Sequence, residues 1–409
     1  MTDRRILLAD ADAFFVAVAR MADPEGAGQS PLLIVGGRPG GRGVVCSASY
    51  ETRAFGVRSA MPIAQALRLC PDAMCVPVPR GACSATSKAI AAVLGRFTPV
   101  VEGASIDEWY LDLTGTEALH HHETLEESAL RIRATVHRET GMWLSLGGGT
   151  AKLIAKLAAD RAKPRPGTDA TGVHIIPPGA EAEFMATLAL AEIPGIGPKL
   201  QAKLATLGLV RVEDVLPHDR ATLTRWLGRR PAEWLWARAR GIHTAPVESR
   251  GAARQISRES TFAKDVSDDV QLSAHLRALG AKAASELRGD RLSARTVTVK
   301  LRDADFTTRL ASRTLPEGLE SDSAIGDVAV GLLKKLRAAR RHPARLVGVA
   351  LGGLGPARDA EQLGLFGGAP ASQVERAEDR ALARAVDRVR ERFGDAAIRA
   401  ASTPVPRAP

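Results

Sequence analysis

Aromatic residues are scarce in this chain. Phe, Trp and Tyr make up 4% of its 409 residues, and Tyr occurs only twice. Surfaces that hold nucleic-acid bases by stacking need such rings, so a polyanion bound here is met mainly through charge and backbone contact. Cysteine is scarce too. Cys46, Cys70, Cys75 and Cys83 form no C-x-x-C pair, and a chain this long folds without disulfides. A zinc ribbon and a disulfide framework are excluded, and reduced, intracellular thiols are expected. The run His120-His121-His122 has no matching Cys or His cluster and reads as a solvated loop. No apolar run approaches the roughly eighteen residues of a membrane span. Thr2-Asp3-Arg4-Arg5 leads into a short apolar run that ends in acids, unlike a signal peptide. A soluble, cytoplasmic, monomeric protein is the expectation.

Positive charge, by contrast, is plentiful. Lys and Arg number 56 against 46 Asp and Glu, for a net charge of +10 and a pI near 9.8. A polyanionic partner follows. The length allows two to four domains.

Against this basic background, acids gather in two segments. Ile6-Leu7-Leu8-Ala9-Asp10-Ala11-Asp12-Ala13-Phe14-Phe15 and Ser105-Ile106-Asp107-Glu108-Trp109-Tyr110-Leu111-Asp112 each put acids at the edge of an apolar, strand-like run. Carboxylates converging on one point repel unless a cation lies between them. Magnesium suits the role, because it takes oxygen ligands and shares its shell with substrate phosphates. Two such ions about 3.5–4 Å apart would clamp the attacking and leaving oxygens of a phosphoryl displacement. In a basic chain that chemistry points to nucleic-acid synthesis. Structural alternatives stay open at this level: Asp10 or Asp12 as the cap of a helix starting near Phe14, Asp12 as a buttress of the site, Glu108 as a surface strand residue. Asp112 reads as structural.

Residues 1–168 alternate strand-like and helix-like patterns, with strands at 32–37 and 43–48 and a helix over 150–161. Residues 169–240 are mostly helical and contain Ile193-Pro194-Gly195-Ile196-Gly197-Pro198-Lys199-Leu200. Glycines two apart allow a tight turn with outward N–H groups, able to hold a phosphate beside a helix N-terminus. This is the helix-hairpin-helix pattern of sequence-independent DNA binders; an ordinary helix–turn–helix connection is the alternative. Residues 241–254 read as a linker. A smaller α+β unit follows, in which Thr296-Val297-Thr298-Val299-Lys300-Leu301-Arg302 alternates strictly. Val297, Val299 and Leu301 face a core, and Thr298, Lys300 and Arg302 face solvent or a phosphate backbone. Residues 345–351 supply another strand. A Gly/Pro/Ala-rich stretch then precedes a charged helix over 374–393.

Three motifs, taken in order, resemble the Y-family DNA polymerases, and within them the DinB branch of bacterial translesion enzymes. They are Asp-x-Asp-Ala-Phe-Phe at 10–15, Ala-Ser-Tyr-Glu-x-Arg-x-Phe-Gly-Val-Arg-Ser-x-Met-Pro at 48–62, and Ser-Ile-Asp-Glu-x-Tyr-Leu-Asp at 105–112. The resemblance runs from about residue 6 to at least 354. It implies a multidomain α/β and α+β fold: a palm from 1–22 and 75–168, fingers from 23–74, a helix-hairpin-helix thumb from 169–240, a linker at 241–254, a little finger from 255–355 and a tail from 356–409. It implies that Asp10, Asp107 and Glu108, with the carbonyl of Ala11, bind two magnesium ions. Phe15 would be the steric gate against ribonucleotides. Ser47, Tyr50, Arg53 and Lys163 would meet the triphosphate of the incoming dNTP. Gly195, Gly197 and Lys199 would hold primer phosphates, and Thr298, Lys300, Arg302, Thr308, Arg309 and Arg313 the opposite duplex face. Gln362-Leu363-Gly364-Leu365-Phe366 resembles a sliding-clamp-binding peptide, with Gln362, Leu363, Leu365 and Phe366 as anchors. The implied reaction is templated addition of dNTPs to a primer 3′-hydroxyl, with low fidelity and no proofreading.

Some positions depart from the family pattern. Ala17-Val18-Ala19 stands where Ser-Val-Glu is usual, Ala151 where an Asn commonly precedes Lys152, and Cys83 where an aromatic is frequent. None is a metal ligand. Two rivals are a catalytically silent DNA- and clamp-binding adaptor, disfavoured by intact Asp10, Asp107 and Glu108, and a palm-based cyclase or primase, disfavoured by the hairpin motif, Phe15 and the clamp-like peptide.

Overall fold

The structure, a computed structural model, describes residues 4–164, 170–249, 251, 253–357, 374–394 and 397–398. The chain divides into two compact units, residues 1–251 and 252–409.

In the first unit, β1 (Ile6–Ala11) turns into α1 (Phe14–Ala22) through Ala13, whose φ of 46° makes the corner. There follow β2 (Leu33–Gly36), β3 (Val45–Ala48), α2 (Tyr50–Ala54), α3 (Ile63–Leu69), β4 (Met74–Pro77), α4 (Arg80–Leu94), β5 (Val101–Gly103), β6 (Glu108–Asp112), α5 (Leu125–Thr140), β7 (Leu144–Gly149), α6 (Lys152–Ala162) and β8 (Val173–Ile175). Helices α7 (Glu181–Ala186), α8 (Pro198–Ala205), α9 (Val212–Val215), α10 (Arg220–Leu227) and α11 (Arg229–Ala239) complete it.

The main sheet has the order β5-β6-β1-β7-β8. Its central strand β1 is antiparallel to both neighbours and buried along its whole length, because both faces are covered. Leu7, Ala9 and Ala11 pack with Phe14, Ile90, Leu94, Ile132 and Val136 of α1, α4 and α5. Ile6 and Leu8 meet Ala155 and Ala159 of α6. Side chains alternate along a strand, so Asp10 falls on the α6 side. Helix α6 lies unusually close to β7: a Cβ on Gly147 would stand 1.9 Å from the Ala159 nitrogen and 2.2 Å from the Ala155 oxygen.

A second, three-stranded sheet has the order β3-β2-β4. Strand β4 carries it to Pro77, past the border expected at 74, and β8 pairs in parallel with β7, so the main sheet runs past 168. Both strands are too short to leave a periodic signature. The expected linker also needs correction. Its residues 241–249 lie on this unit, with Val247 buried among Ile6, Leu8, Ala155 and Ala159 and the Glu248 N–H donating to Glu102 at 3.0 Å. One apolar residue in a polar stretch was enough to seat it. The run at 120–122 is likewise split. His121 and His122 are exposed, but His120 is buried, 2.8 Å from the Phe97 carbonyl and 3.0 Å from Arg131.

The second unit contains β9 (Gln255–Val266), α12 (Asp269–Gly289), β10 (Leu292–Asp303), β11 (Thr308–Leu319), α13 (Asp322–Ala339), β12 (Ala344–Pro356) and α14 (Ala377–Phe393). The sheet order is β11-β10-β12-β9, antiparallel throughout. Val297, Val299 and Leu301 enter the core with α12 and α13, as their alternation requires. Helix α14 packs on this unit through charge. Arg288, its side chain 5% exposed, bonds both Asp387 oxygens at 2.6 and 2.9 Å and Asp322 at 2.9 Å. The Glu375 carboxylate accepts the N–H groups of Glu320 and Ser321 just ahead of α13, at 2.8 and 2.5 Å. Among the described residues no helix is long and apolar enough to cross a membrane.

Gly147→Ala forces α6 off the sheet. Its backbone clash belongs at the costly end of overpacking, about 3 kcal/mol, and urea unfolding of the variant should record that loss.

Candidate active site

The register of β1 against β6 makes Asp10 and Glu108 cross-strand partners. Directly opposite residues share a face, so both carboxylates look toward α6. Asp107 precedes β6. Its carbonyl accepts the Ala11 N–H at 2.9 Å, and its carboxylate is bonded by the Ser105 hydroxyl. Asp10 and Asp12 are therefore not helix caps; α1 begins at Ala13 without any side-chain cap. Asp12 is a buttress: the Ser145 hydroxyl donates to it at 2.6 Å. Asp112 is structural, accepting the Thr114 N–H at 2.9 Å.

Helix α6 supplies the opposing charge. Lys156 Nζ is 2.6 Å from Glu108 Oε1 and 3.4 Å from Asp10 Oδ2. Lys163, at the end of α6, is 2.7 Å from the same Asp10 oxygen. Burial raises the Glu108 pKa; Lys156 opposes that and Asp10 reinforces it. Burial would lower the pKa of Lys156, but its bond to Glu108 and the charges of Asp160 and Asp10 outweigh it, so the group is raised. Lys163 is raised in the same way, with Asp10 overcoming burial. Asp12 is raised by burial despite its bond from Ser145, and Tyr110 is pushed up to about 12 by burial.

These donors fit a hard divalent ion. Among the described residues no three carboxylate, His or Cys side chains close around a point by themselves. Magnesium does not require that, since it is held by one or two carboxylates and completes its shell with water and substrate phosphates. Asp10 and Glu108 are already paired, and Asp107 is their neighbour with its carboxylate turned to Ser105.

The other expected contacts fall in separate local groups. Arg53 Nη2 donates to the Ser47 hydroxyl at 3.3 Å, its Nε to the Ala48 carbonyl at 2.9 Å, and its guanidinium lies 5.0 Å from the Tyr50 ring centre. Ser47, Tyr50 and Arg53 thus form one cluster on β3 and α2, the helix being capped by Ser49. Phe14 is buried and Phe15 half-buried, their rings edge to face at 5.4 Å. In the helical part, Gly195 has a φ of 101°, and a Cβ there would meet the Trp234 ring at 2.8 Å. Gly197 caps α8, with Pro198 next and Lys199 exposed after it.

Comparison with known proteins gives this arrangement a family. Residues 9–160 match the impB/mucB/samB family, residues 178–209 the helix-hairpin-helix motif of that family, and residues 253–365 its C-terminal domain. DNA polymerase IV of Halorhodospira halophila is 38% identical over 89% of this chain and 99% of its own length. DNA polymerase IV of Methanoculleus marisnigri is 38% identical over 85% and 94%. A chimeric Y-family DNA polymerase superposes with a TM-score of 0.75 at 26% identity, covering 85% of this chain and 98% of that one.

The chain belongs to the Y family of DNA polymerases. It is a DNA-directed DNA polymerase of the translesion type, in the DNA polymerase IV branch. It binds DNA and nucleotide, and it depends on a divalent metal. The polymerase fold carries a helix-hairpin-helix thumb and a C-terminal little-finger domain.

In the little finger, the structure separates the expected DNA contacts. Thr298, Lys300 and Arg302 pair across the ladder with Ser312, Leu310 and Thr308, so these share the open face. Arg309 pairs with Leu301, and Arg313 with Val297. Arg309 therefore points to the helix-covered side, and its assignment to the DNA face is corrected; Arg313 is exposed on the edge strand β11. Arg309 instead bonds the fully buried Asp303 at 2.8 and 3.1 Å and the carbonyl of Arg340 at 3.2 Å. On the open face Lys300 pairs with Glu259 at 2.8 Å and Arg302 with Thr308 at 2.9 Å. Residues 362–366 lie outside the described residues. Sequence reasoning missed Lys156 and Ser145. A signal for each existed: Lys156 stands seven residues before Lys163 on one helix face, and Ser145 is the polar residue in an otherwise apolar strand.

Arg309→Ala should destabilise the little finger by roughly 3 kcal/mol, as loss of a buried partner does, and leave the salt dependence of DNA binding unchanged. Lys300→Ala should do the reverse. Its log–log salt slope falls by about 0.9 if one phosphate contact is lost. Thermal unfolding and DNA titration at several salt concentrations separate the two.

Proposed function

We propose that Asp10, Asp107 and Glu108, with the Ala11 carbonyl, hold two magnesium ions during primer extension. The observation that supports this most is the pairing of Asp10 with Glu108 across β1 and β6, balanced by Lys156 and Lys163. The ions supply charge neutralisation and activation of the primer 3′-hydroxyl toward the dNTP α-phosphate. The protein's own part is orientation. Ser47, Tyr50 and Arg53 offer hydroxyl and guanidinium donors to the β- and γ-phosphates, and Lys163 adds an ammonium. Phe15, half-exposed beside buried Phe14, would leave no room for a 2′-hydroxyl. Gly195, Gly197 and Lys199 would hold primer phosphates through backbone N–H groups and charge, and Thr298, Lys300, Arg302 and Thr308 would meet the duplex from the little finger. As a translesion-type polymerase, the enzyme is read as one of low fidelity that tolerates damaged templates and lacks proofreading.

Domain borders are best drawn with the sheets: palm 4–22 and 78–176, fingers 23–77, thumb 177–240, and little finger 253–357 with α14 attached. We read 362–366 as a sliding-clamp peptide that tethers a weakly binding enzyme by raising its local concentration. Its flanks are fixed on one unit, since the Ala357 N–H donates to the Arg291 carbonyl at 2.9 Å and Val374 packs on that unit's core. A cytoplasmic monomer accords with the reduced cysteines and the DNA partner.

Primer extension with dNTPs and magnesium tests the metal assignment. Asp107→Ala should lose about a thousandfold in rate, the scale on which transition-state charge stabilisation is lost, while primer–template still binds. Retention of activity would remove Asp107 from the site. Phe15→Ala should extend with ribonucleotides where the parent does not, and an unchanged preference for dNTPs would dismiss the gate.

A further inference from the structure

Helix α6 carries a third charged residue beside the metal-binding carboxylates. Asp160 stands one turn after Lys156 and three residues before Lys163. Its Oδ1 is 3.9 Å from Lys156 Nζ and 3.3 Å from Lys163 Nζ. The same two ammonium groups contact Glu108 Oε1 and Asp10 Oδ2. Those oxygens are the ones that a divalent ion needs. A dication on them repels both ammonium groups, and an ammonium driven off without a new acceptor would be left partly buried and unpaired, which is costly. Asp160 is within reach of both, on the exposed side of the helix, with its side chain 41% accessible.

We propose that Asp160 is a positioning residue that takes over Lys156, and holds Lys163 until the triphosphate reaches it, when a metal ion takes Asp10 and Glu108, so that metal loading is an exchange of partners within α6. The proposal rests on the reading of Asp10, Asp107 and Glu108 as metal ligands. The exchange needs no helix movement, because Asp160 meets Lys156 at i, i+4 spacing and Lys163 at i, i+3, the spacings at which helical side chains touch. Charge favours it as well: with Asp10 and Glu108 given over to metal, Asp160 is a carboxylate that still contacts both lysines.

The test is titration of Mn2+ into the full chain bound to a dideoxy-terminated primer–template and dNTP, followed by EPR of the free ion. Asp160→Asn should weaken Mn2+ binding roughly fivefold, the scale of one partly exposed ion pair. The magnesium concentration for half-maximal extension should rise by the same factor, and the rate at saturating magnesium should recover. Adding Lys156→Met to Asp160→Asn removes the stranded competitor and should restore the affinity. An unchanged affinity in Asp160→Asn, or a double variant no better than the single one, overturns the proposal. A merely structural Asp160 would lower the melting temperature without this rescue. Asp107→Ala in the same titration keeps the two readings apart. If it leaves Mn2+ binding intact, the ligand assignment falls and the exchange with it. If it abolishes binding while Asp160→Asn does nothing, only the exchange falls.

Discussion

The site depends on two carboxylates being forced together by strand register. Asp10 and Glu108 face each other across β1 and β6, where repulsion would spread them apart or protonate one. Lys156 and Lys163 make the pairing tolerable, and they can reach only because α6 lies nearly on the sheet. That closeness is a property of Gly147, which has no Cβ to hold the helix away. A backbone contact with no charge of its own thus decides the electrostatics of a charged centre. The same closeness accounts for Gly149, where a Cβ would stand 2.5 Å from Ile154 Cγ2 of α6, whereas Gly148 faces Ile175 and Leu7.

Parity along strands is the second constraint, and it acts in both units. On β1, odd residues face α1, α4 and α5 and even residues face α6. On β10 and β11, the same arithmetic puts Thr308 and Arg309 on opposite sides of the sheet. A one-residue step is therefore the difference between a hydroxyl on the open face and an arginine that neutralises buried Asp303. Composition sees two polar neighbours; the register distinguishes them.

This marks how far the chain could be read before its structure. The apolar run of β1, the strict alternation in β10 and the strand at 345–351 were legible, as were the helix of Lys152–Ala162 and the charged helix before Phe393, because such segments carry their own signal. The acids Asp10 and Glu108, which meet across β1 and β6, and the cluster of Ser47, Tyr50 and Arg53 were legible as motifs. What escaped was set by partners far away in sequence. Strands β4 and β8 exist by pairing with β2 and β7 and have too few residues to show a period. Val247 is one apolar residue in a polar stretch, and only Ile6, Leu8 and α6 give it a place to be buried. Lys156 was missed, since its spacing from Lys163 marks a shared helix face but nothing local says that Glu108 and Asp10 lie opposite it.

Charge is used in two different ways within this one chain, and burial separates them. Arg288 holds α14 from a site where its side chain is 5% exposed, with Asp387, Asp322 and the Glu320 carbonyl all engaged. Removing any partner there would leave a desolvated charge, so the contact is permanent. Lys156 and Lys163 are about a fifth exposed. Water next to them lowers the cost of changing partners, and an alternative acceptor lies within one helical turn. The same kind of ion pair is therefore a fastener in the little finger and an exchangeable contact in the palm. A polymerase needs both, because its little finger must keep its shape while its palm admits and releases metal and nucleotide at every cycle.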